Sequence, residues 1–347
     1  MDETVEWLSP EELRVTETGQ VTTALDTRTV NEINASELAG LLKQLEESRQ
    51  VLPSHLTQIT KASRELSGYI IPAEEPQPVF TGRYQRPGYT IEKYFIRGEG
   101  KYMIPYLLMI PDAPGPHPAL LYIHPTGKTA EAAPGEEMEW FVKQGYVVLA
   151  PDLIGRGEMG PGEFEGDAYI QGVSLNIWFF SILNGRSIIG IQAGDVTRLV
   201  RTLEQRPEVD GKQIGAVARG EMGSVLLHAA LYEPTIRKVA IIEPLISYEA
   251  VVMHEYYATR YMLTAVANSL PKYDLPDLAA SLAPRPLLLV NMVDQNGHKV
   301  ESQQIEGTYD ITLRAYQSQE AAAQFRIATL DYSQGMEDIF GPWLHGE

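Results

Sequence analysis

Cysteine is absent from the 347 residues. That excludes a disulfide framework, a cysteine nucleophile and any thiolate-held metal. Positive charge is scarce: 28 Lys and Arg stand against 46 Asp and Glu, a formal net charge of −18. A field of that sign repels phosphate backbones and anionic lipid surfaces, so neither nucleic acid nor a membrane surface is expected as a partner. Long apolar runs are missing too. The longest candidate, Val173 to Leu183, carries polar residues and falls short of the roughly 18 that a membrane span needs. The first residues, Met1-Asp-Glu-Thr-Val-Glu6, are acidic where a signal peptide has a basic start. The chain therefore reads as soluble. A periplasmic or secreted location fits only if a longer product supplies the signal. Seven histidines are scattered without ligand-like spacing, so no metal site and no cofactor are expected.

What is present is ample apolar residue, 44% of the chain, enough to build a large core without staples. Residues 1–77 read as an extension. An alternating stretch from Leu13 to Leu25, broken at Thr18-Gly19, predicts a hairpin. Asn34 or Ser36 then caps a helix carrying Leu38, Leu41, Leu42 and Leu45, and a second helix follows Pro53. The segment Pro72-Ala-Glu-Glu-Pro-Gln-Pro78 is a linker.

From 78 to 347 the pattern is strands alternating with helices. Tyr89–Ile96 and Tyr102–Ile110 read as a β-hairpin pair. Apolar runs at Ala119–His124, Tyr146–Ala150, Ile214–Ala218, Val239–Ile242, Pro286–Val290 and Phe325–Thr329 lack alternation, which suits parallel strands buried on both faces. Val196, Leu199, Val200 and Leu203 mark an intervening amphipathic helix. The fold class is α/β: a mostly parallel central sheet flanked by helices, with an N-terminal helical arm. Ligands in such sheets sit beyond the carboxyl ends of the strands. The residues there are His124 to Gly127, Asp152 to Glu158, Arg219 to Gly223, Glu243 and Asp294.

The strand–turn–helix Ile214-Gly-Ala-Val-Ala-Arg-Gly-Glu-Met-Gly223, preceded by His124-Pro-Thr-Gly127 and Ala150-Pro-Asp-Leu-Ile-Gly-Arg-Gly157, resembles the α/β-hydrolase fold. More narrowly, it resembles the acetyl xylan esterase and related carbohydrate-esterase branch, over Val79 to Glu347. The resemblance implies a small-x-Ser-x-Gly elbow, an acid after the penultimate strand and a histidine after the last. The nucleophile position falls on Gly220, which has no group to attack with. Leu330, in Thr329-Leu-Asp-Tyr332, stands at the histidine position and cannot shuttle a proton. Asp294 alone matches, as the retained acid.

The loop His124-Pro125-Thr126 matches the family's oxyanion loop. Pro125 removes one donor and leaves the Thr126 N–H to point inward. Gly127-Lys128-Thr129 ends like a phosphate-binding loop, but Tyr122 stands where its first glycine belongs, which argues against a nucleotide. Glu221 is a candidate substitute nucleophile, although as the apex it would put Arg219 where a small residue is needed. Ser224 and His228 read as packing or capping residues, His298 lies too near Asp294 in sequence to replace the base, and His345 ends the last helix. The remaining charges, Arg156, Glu158, Arg219, Glu221, Glu243 and Asp294, read either as a self-paired network or as a grip on a sugar or uronate.

The expected function is therefore a non-catalytic accessory or carbohydrate-binding half of an esterase system, like the degenerate second half of tandem esterase-like proteins. Its expected partners are a catalytic esterase domain upstream and a carbohydrate ligand at His124, Thr126, Arg156, Arg219, Glu221 and Glu243. The alternatives are an active carboxylester hydrolase on acylated sugars with a non-standard nucleophile, and an oligomerisation unit built on the arm.

Overall fold

The leucine- and valine-rich runs form one sheet, and their lack of alternation matches burial on both faces, except that the last run, at Phe325–Ala328, is a partly exposed edge strand. In the computed structural model, which describes residues 7–160, 162, 169–171, 173–330 and 335–346, this sheet has nine strands among the described residues. β1 (Val79–Arg86), β2 (Tyr89–Arg97) and β3 (Met103–Pro111) are antiparallel. β4 (His117–Ile123) and β5 (Val147–Pro151) follow, and a separate small ladder joins β6 (Tyr169–Ile170) to β7 (Val173–Ser174). β8 (Val209–Arg219), β9 (Lys238–Ile242), β10 (Leu287–Val290) and β11 (Phe325–Ala328) complete the sheet. The order is β1-β2-β3-β5-β4-β8-β9-β10-β11, parallel from β5 onward.

Helices cover both faces. The arm supplies α1 (Val21–Ala24), α2 (Val30–Arg49) and α3 (Leu52–Ser67). α4 (Glu137–Lys143), α5 (Leu175–Leu183), α6 (Ile188–Glu204), α7 (Met222–Tyr232), α8 (Tyr248–Val252), α9 (Leu275–Ala280), α10 (Ser302–Thr308), α11 (Asp310–Ser318) and α12 (Met336–His345) belong to the rest. Alternate strand residues divide between two layers. Leu121, Leu149 and Ile241 pack with α6, α7 and α9, while Leu120, Val148 and Ala240 pack with Phe141 of α4 and Phe340 of α12.

The arm departs from expectation in two places. No hairpin forms at 13–25; the stretch is turns and the short α1, with Leu13, Val15 and Leu25 exposed. It has no sheet edge to join, and an isolated two-stranded ribbon is marginal in water. The start of α2 lies earlier than Asn34. Thr29 accepts from the Glu32 N–H (3.2 Å) while the Glu32 carboxylate accepts from the Thr29 N–H (2.6 Å), a reciprocal capping box. Leu38 and Ile59 join the same core cluster as the sheet. No helix among the described residues is long and apolar enough to cross a membrane.

Candidate functional site

The chain leaves β4 for β5 on one side and returns beside β4 as β8 on the other. Such a switch point opens a crevice at the carboxyl ends of the strands. A cleft of about 600 Å³ lies there, and its lining includes His124, Thr126, Gly220, Glu243, Asn291 and Leu330.

Three successive strands end on this floor in left-handed backbone: Gly220 (φ +53°), Glu243 (φ +57°) and Asn291 (φ +52°). The N–H of each donates to the carbonyl of a neighbouring strand or its end, at Ile242 (2.8 Å), Val290 (2.7 Å) and Ala328 (3.0 Å). Left-handed conformation costs a residue with a side chain about 1–3 kcal/mol and persists where surrounding structure over-determines it. Gly220 joins β8 to α7, so a sharp left-handed turn links strand and helix with no side chain at its apex. A Cβ added there would meet only Pro125 Cγ, at 3.5 Å.

Glu221 follows at the N-cap of α7, 5% exposed. Arg156, from the loop after β5, places Nη2 3.1 Å from Glu221 Oε1 and donates from Nη1 to the Pro125 carbonyl (3.1 Å). This ion pair spans two strand-end loops beside the elbow. Asp152 organises the loop beneath it, accepting from the Lys128 and Glu158 N–H groups (2.6 and 2.9 Å) and pairing with the Lys128 ammonium. A Cβ at Gly157 (φ +51°) would overlap the Asp152 carboxylate. The Lys128 ammonium also pairs with Glu158 (2.6 Å), so it is engaged within the protein.

Arg219 pairs with Glu137 of α4. Glu137 also accepts from the Tyr122 hydroxyl (2.5 Å). Arg219, Glu221 and Glu243 line the cleft together, and Arg156 joins them through Glu221. Asp294 is not among the lining residues. Its Oδ1 accepts from the Asn296 and His298 N–H groups (2.8 and 2.9 Å), and its Oδ2 lies 3.4 Å from His298 Nδ1. Partial burial opposes ionisation of Asp294, but these donors outweigh it and hold the carboxyl below its usual range. The Asp294 carboxylate is thus committed to its own loop.

Leu330 is buried with Phe340 and Trp343. Asn291 clamps its backbone, accepting from the Leu330 N–H (3.0 Å) and donating to its carbonyl (3.3 Å). Asp331 and Tyr332, the neighbours in the expected histidine motif, lie outside the described residues.

The Thr126 N–H does not serve as the inward donor expected of it. It donates to His124 Nδ1 (3.2 Å), which also lies 2.9 Å from the Thr126 hydroxyl. A ring nitrogen that accepts from an amide carries no proton, so the neutral imidazole holds its proton on Nε2. Burial, together with Arg219 and Arg156, pushes the His124 pKa down to about 4; Glu137 opposes the shift.

Sequence reasoning missed Glu137, Arg260, Tyr261, Asn291 and Lys299. Asn291 directly follows β10 and was open to the strand-end rule, had that rule been applied to amides. Arg260 lies in a short 3-10 helix, Thr259–Thr264, and Lys299 on a loop, neither within a motif. Arg260 donates to the Tyr261 hydroxyl (3.3 Å) and makes no salt bridge among the described residues. The cleft is lined by the cations Arg219, Arg260 and Lys299 and the carboxylates Glu221 and Glu243. No cluster of three or more His, Asp or Glu side chains is placed to hold a metal ion among the described residues.

The sheet order and the elbow after β8 are those of the α/β-hydrolase fold, and solved structures agree. A Bacteroides fragilis NCTC 9343 protein assigned as an acetyl xylan esterase superposes with a TM-score of 0.60 at 17% identity, covering 95% of this chain and 86% of that one. The acetyl xylan esterase from Paenibacillus sp. R4 gives 0.55 at 16%, covering 83% and 92%. The glucuronoyl esterase catalytic domain from Hypocrea jecorina gives 0.53 at 15%, covering 83% of each. No protein-family model matches the chain, and no curated protein matches it in sequence. The chain is an α/β-hydrolase-fold protein. Its structural neighbours named here are carbohydrate esterases.

Proposed function

We propose that the chain is a non-catalytic member of this fold that holds a saccharide in the cleft over Gly220, as the accessory half of an esterase system with a catalytic esterase domain as its partner. The observation that carries this reading is the intact left-handed elbow with no hydroxyl at its apex, in the same cleft as an apolar Leu330. The lining favours a saccharide that bears a carboxylate. Arg260 and Lys299 flank the cleft without salt bridges among the described residues, and a guanidinium suits a carboxylate in bidentate geometry. The alternative, an active hydrolase with Glu221 as nucleophile, is disfavoured because that carboxylate is buried and paired with Arg156.

Calorimetric titration with neutral and uronate-bearing xylo-oligosaccharides, acetylated and plain, tests this. The expected result is binding of the uronate-bearing ligand, weakened about tenfold or more by Arg260→Met, with no ester cleaved. Cleavage of the acetyl groups that disappears in Glu221→Gln would establish the alternative. Absence of saccharide binding would remove the ligand from the proposal.

A further inference from the structure

The junction of α2 and α3 holds a hydrogen-bonded chain of side chains remote in sequence from the cleft loops. Ser48 Oγ lies 2.8 Å from His55 Nδ1, and His55 Nε2 lies 2.8 Å from Asp277 Oδ1. Asp277 belongs to α9, so the chain crosses from the arm to the hydrolase domain. Arg49 grips the same carboxylate with two donors, Nε to Oδ1 (2.8 Å) and Nη2 to Oδ2 (2.5 Å), and the Asp274 N–H adds a third (2.8 Å). Burial opposes ionisation of Asp277, yet these partners hold its pKa below the usual carboxylate value.

Proton positions follow from what each group can do. An ionised carboxylate only accepts, so His55 Nε2 carries a proton, and in the neutral ring Nδ1 then presents its lone pair. The Ser48 hydroxyl then donates to Nδ1. This is the relation a serine nucleophile needs: a base within hydrogen-bond reach, itself oriented by a third group. The two ring nitrogens are exchanged relative to the usual serine triad, but either can take the proton. A helical serine commonly bonds back to the carbonyl four residues earlier; Ser48 is instead drawn to the imidazole.

Access completes the picture. His55 and Asp277 are 1% and 0% exposed, while Ser48 is half-buried beside Val51, which is 62% exposed. Base and acid are shielded, while Ser48 itself is only partly buried. Sixteen-residue α3 starts at Leu52, four residues after Ser48, with no side-chain cap. Its positive end therefore lies close in sequence to the hydroxyl, although Pro53 in the first turn has no N–H to offer.

We propose that Ser48 is an activated acyl-accepting serine, independent of the cleft and of the reading given to it. Its Oγ attacks the carbonyl carbon of an activated ester, or the phosphorus of a phosphonyl fluoride. The hydroxyl proton passes to His55 Nδ1. The leaving group departs as an alcohol or acid once it takes that proton, or as an anion. Asp277 balances the imidazolium formed in between. Ser48 is not part of the cleft, so small esters with good leaving groups are the class it accepts.

Treating the folded full chain with an alkyl fluorophosphonate and mapping the adduct by peptide mass spectrometry tests this. The expected adduct is on Ser48, about tenfold or more above any other serine. Its rate should rise over the pH range where a histidine gives up its proton, and Ser48→Ala should remove it. His55→Gln should lower labelling to the level of the urea-unfolded chain. Because that variant also removes a partner of buried Asp277, the pH profile of the unmodified protein is the deciding measurement. No Ser48 adduct, an adduct formed equally in urea, or a rate flat with pH would overturn the proposal and leave the chain of bonds as a tie between arm and domain.

Discussion

Returning a side chain to the elbow tests whether Gly220 is held in a shape that a nucleophile would have to occupy under strain. Gly220 sits at φ +53°, a region that costs a residue with a Cβ about 1–2 kcal/mol. No packing penalty adds to this, because the new Cβ would meet only Pro125 Cγ at the ordinary distance of 3.5 Å. Gly220→Ser is therefore expected to fold and to lose about 1–2 kcal/mol. At roughly 2.1 cal/mol/K of unfolding entropy per residue, a chain of this size converts that to a fall in Tm of about 1–3 °C. Urea unfolding is the better assay, since it reads the free energy directly. Gly220→Ala should lose a similar amount, because the Cβ rather than the hydroxyl carries the cost. A serine variant as stable as the parent, or an alanine variant that differs from it by more than about 1 kcal/mol, would refute the strain argument. On the proposed reading, the double variant Gly220→Ser with Leu330→His should leave acetylated xylo-oligosaccharides uncleaved. The Asp294 carboxylate is committed to Asn296 and His298, and the Arg156–Glu221 pair stands beside the elbow.

Two further perturbations read the charges. Glu221→Gln leaves Arg156 largely buried without its counter-charge and should cost about 3–5 kcal/mol in urea unfolding, with part recovered by adding Arg156→Met; a loss under about 1 kcal/mol would show that solvent already screens the pair. Asp195 is fully buried on α6, and burial pushes its carboxyl up to about 7 against the opposing Tyr102 and Arg198. Its folded pKa exceeds its unfolded one, so its contribution is complete below about pH 4 and is lost as pH rises toward 7. Asp195→Asn should therefore gain on the parent across that window, by at most about 4 kcal/mol, and hold level above it. A stability difference that does not vary with pH would refute the assignment.

The features legible in the sequence are those fixed within one segment. β4, β5, β8, β9 and β10 announce themselves because strands buried on both faces are continuous apolar runs. The elbow at Gly220 is a local strand–turn–helix, and its left-handed geometry follows from that turn. What could not be read depends on distant packing. Arg219 finds Glu137, 82 positions away, only because α4 lies over β4 and β5. His55 meets Asp277 across 222 positions. The failed hairpin at 13–25 had the right alternation but no neighbouring sheet edge, which no local pattern can supply. Asp294 matched a position, yet its orientation is set by the two amides of its own loop.

The electrostatics of the cleft bear on whether His124 could serve as a general base there. A general base works best with a pKa near the operating pH. His124 lines the cleft together with Gly220, and with its pKa near 4 it lies about three units below neutrality. Its lone pair at Nδ1 is engaged by the Thr126 N–H, which leaves Nε2–H as a donor. In that state His124 can orient an oxygen but is a weak acceptor for a serine proton. The same cations that depress it, Arg219 and Arg156, would stabilise a bound anion. Replacing Arg219 by methionine should therefore raise the His124 pKa, measurable as a shift of its ring proton resonance with pH, although the loss of the partner of Glu137 will also cost stability. If the resonance titrates unchanged, Arg219 has no part in the depression, which then comes from burial and Arg156. On the proposed reading, a saccharide carboxylate entering the cleft meets positive charge and a hydrogen-bond donor at an elbow with no hydroxyl, and binding without turnover is the consequence.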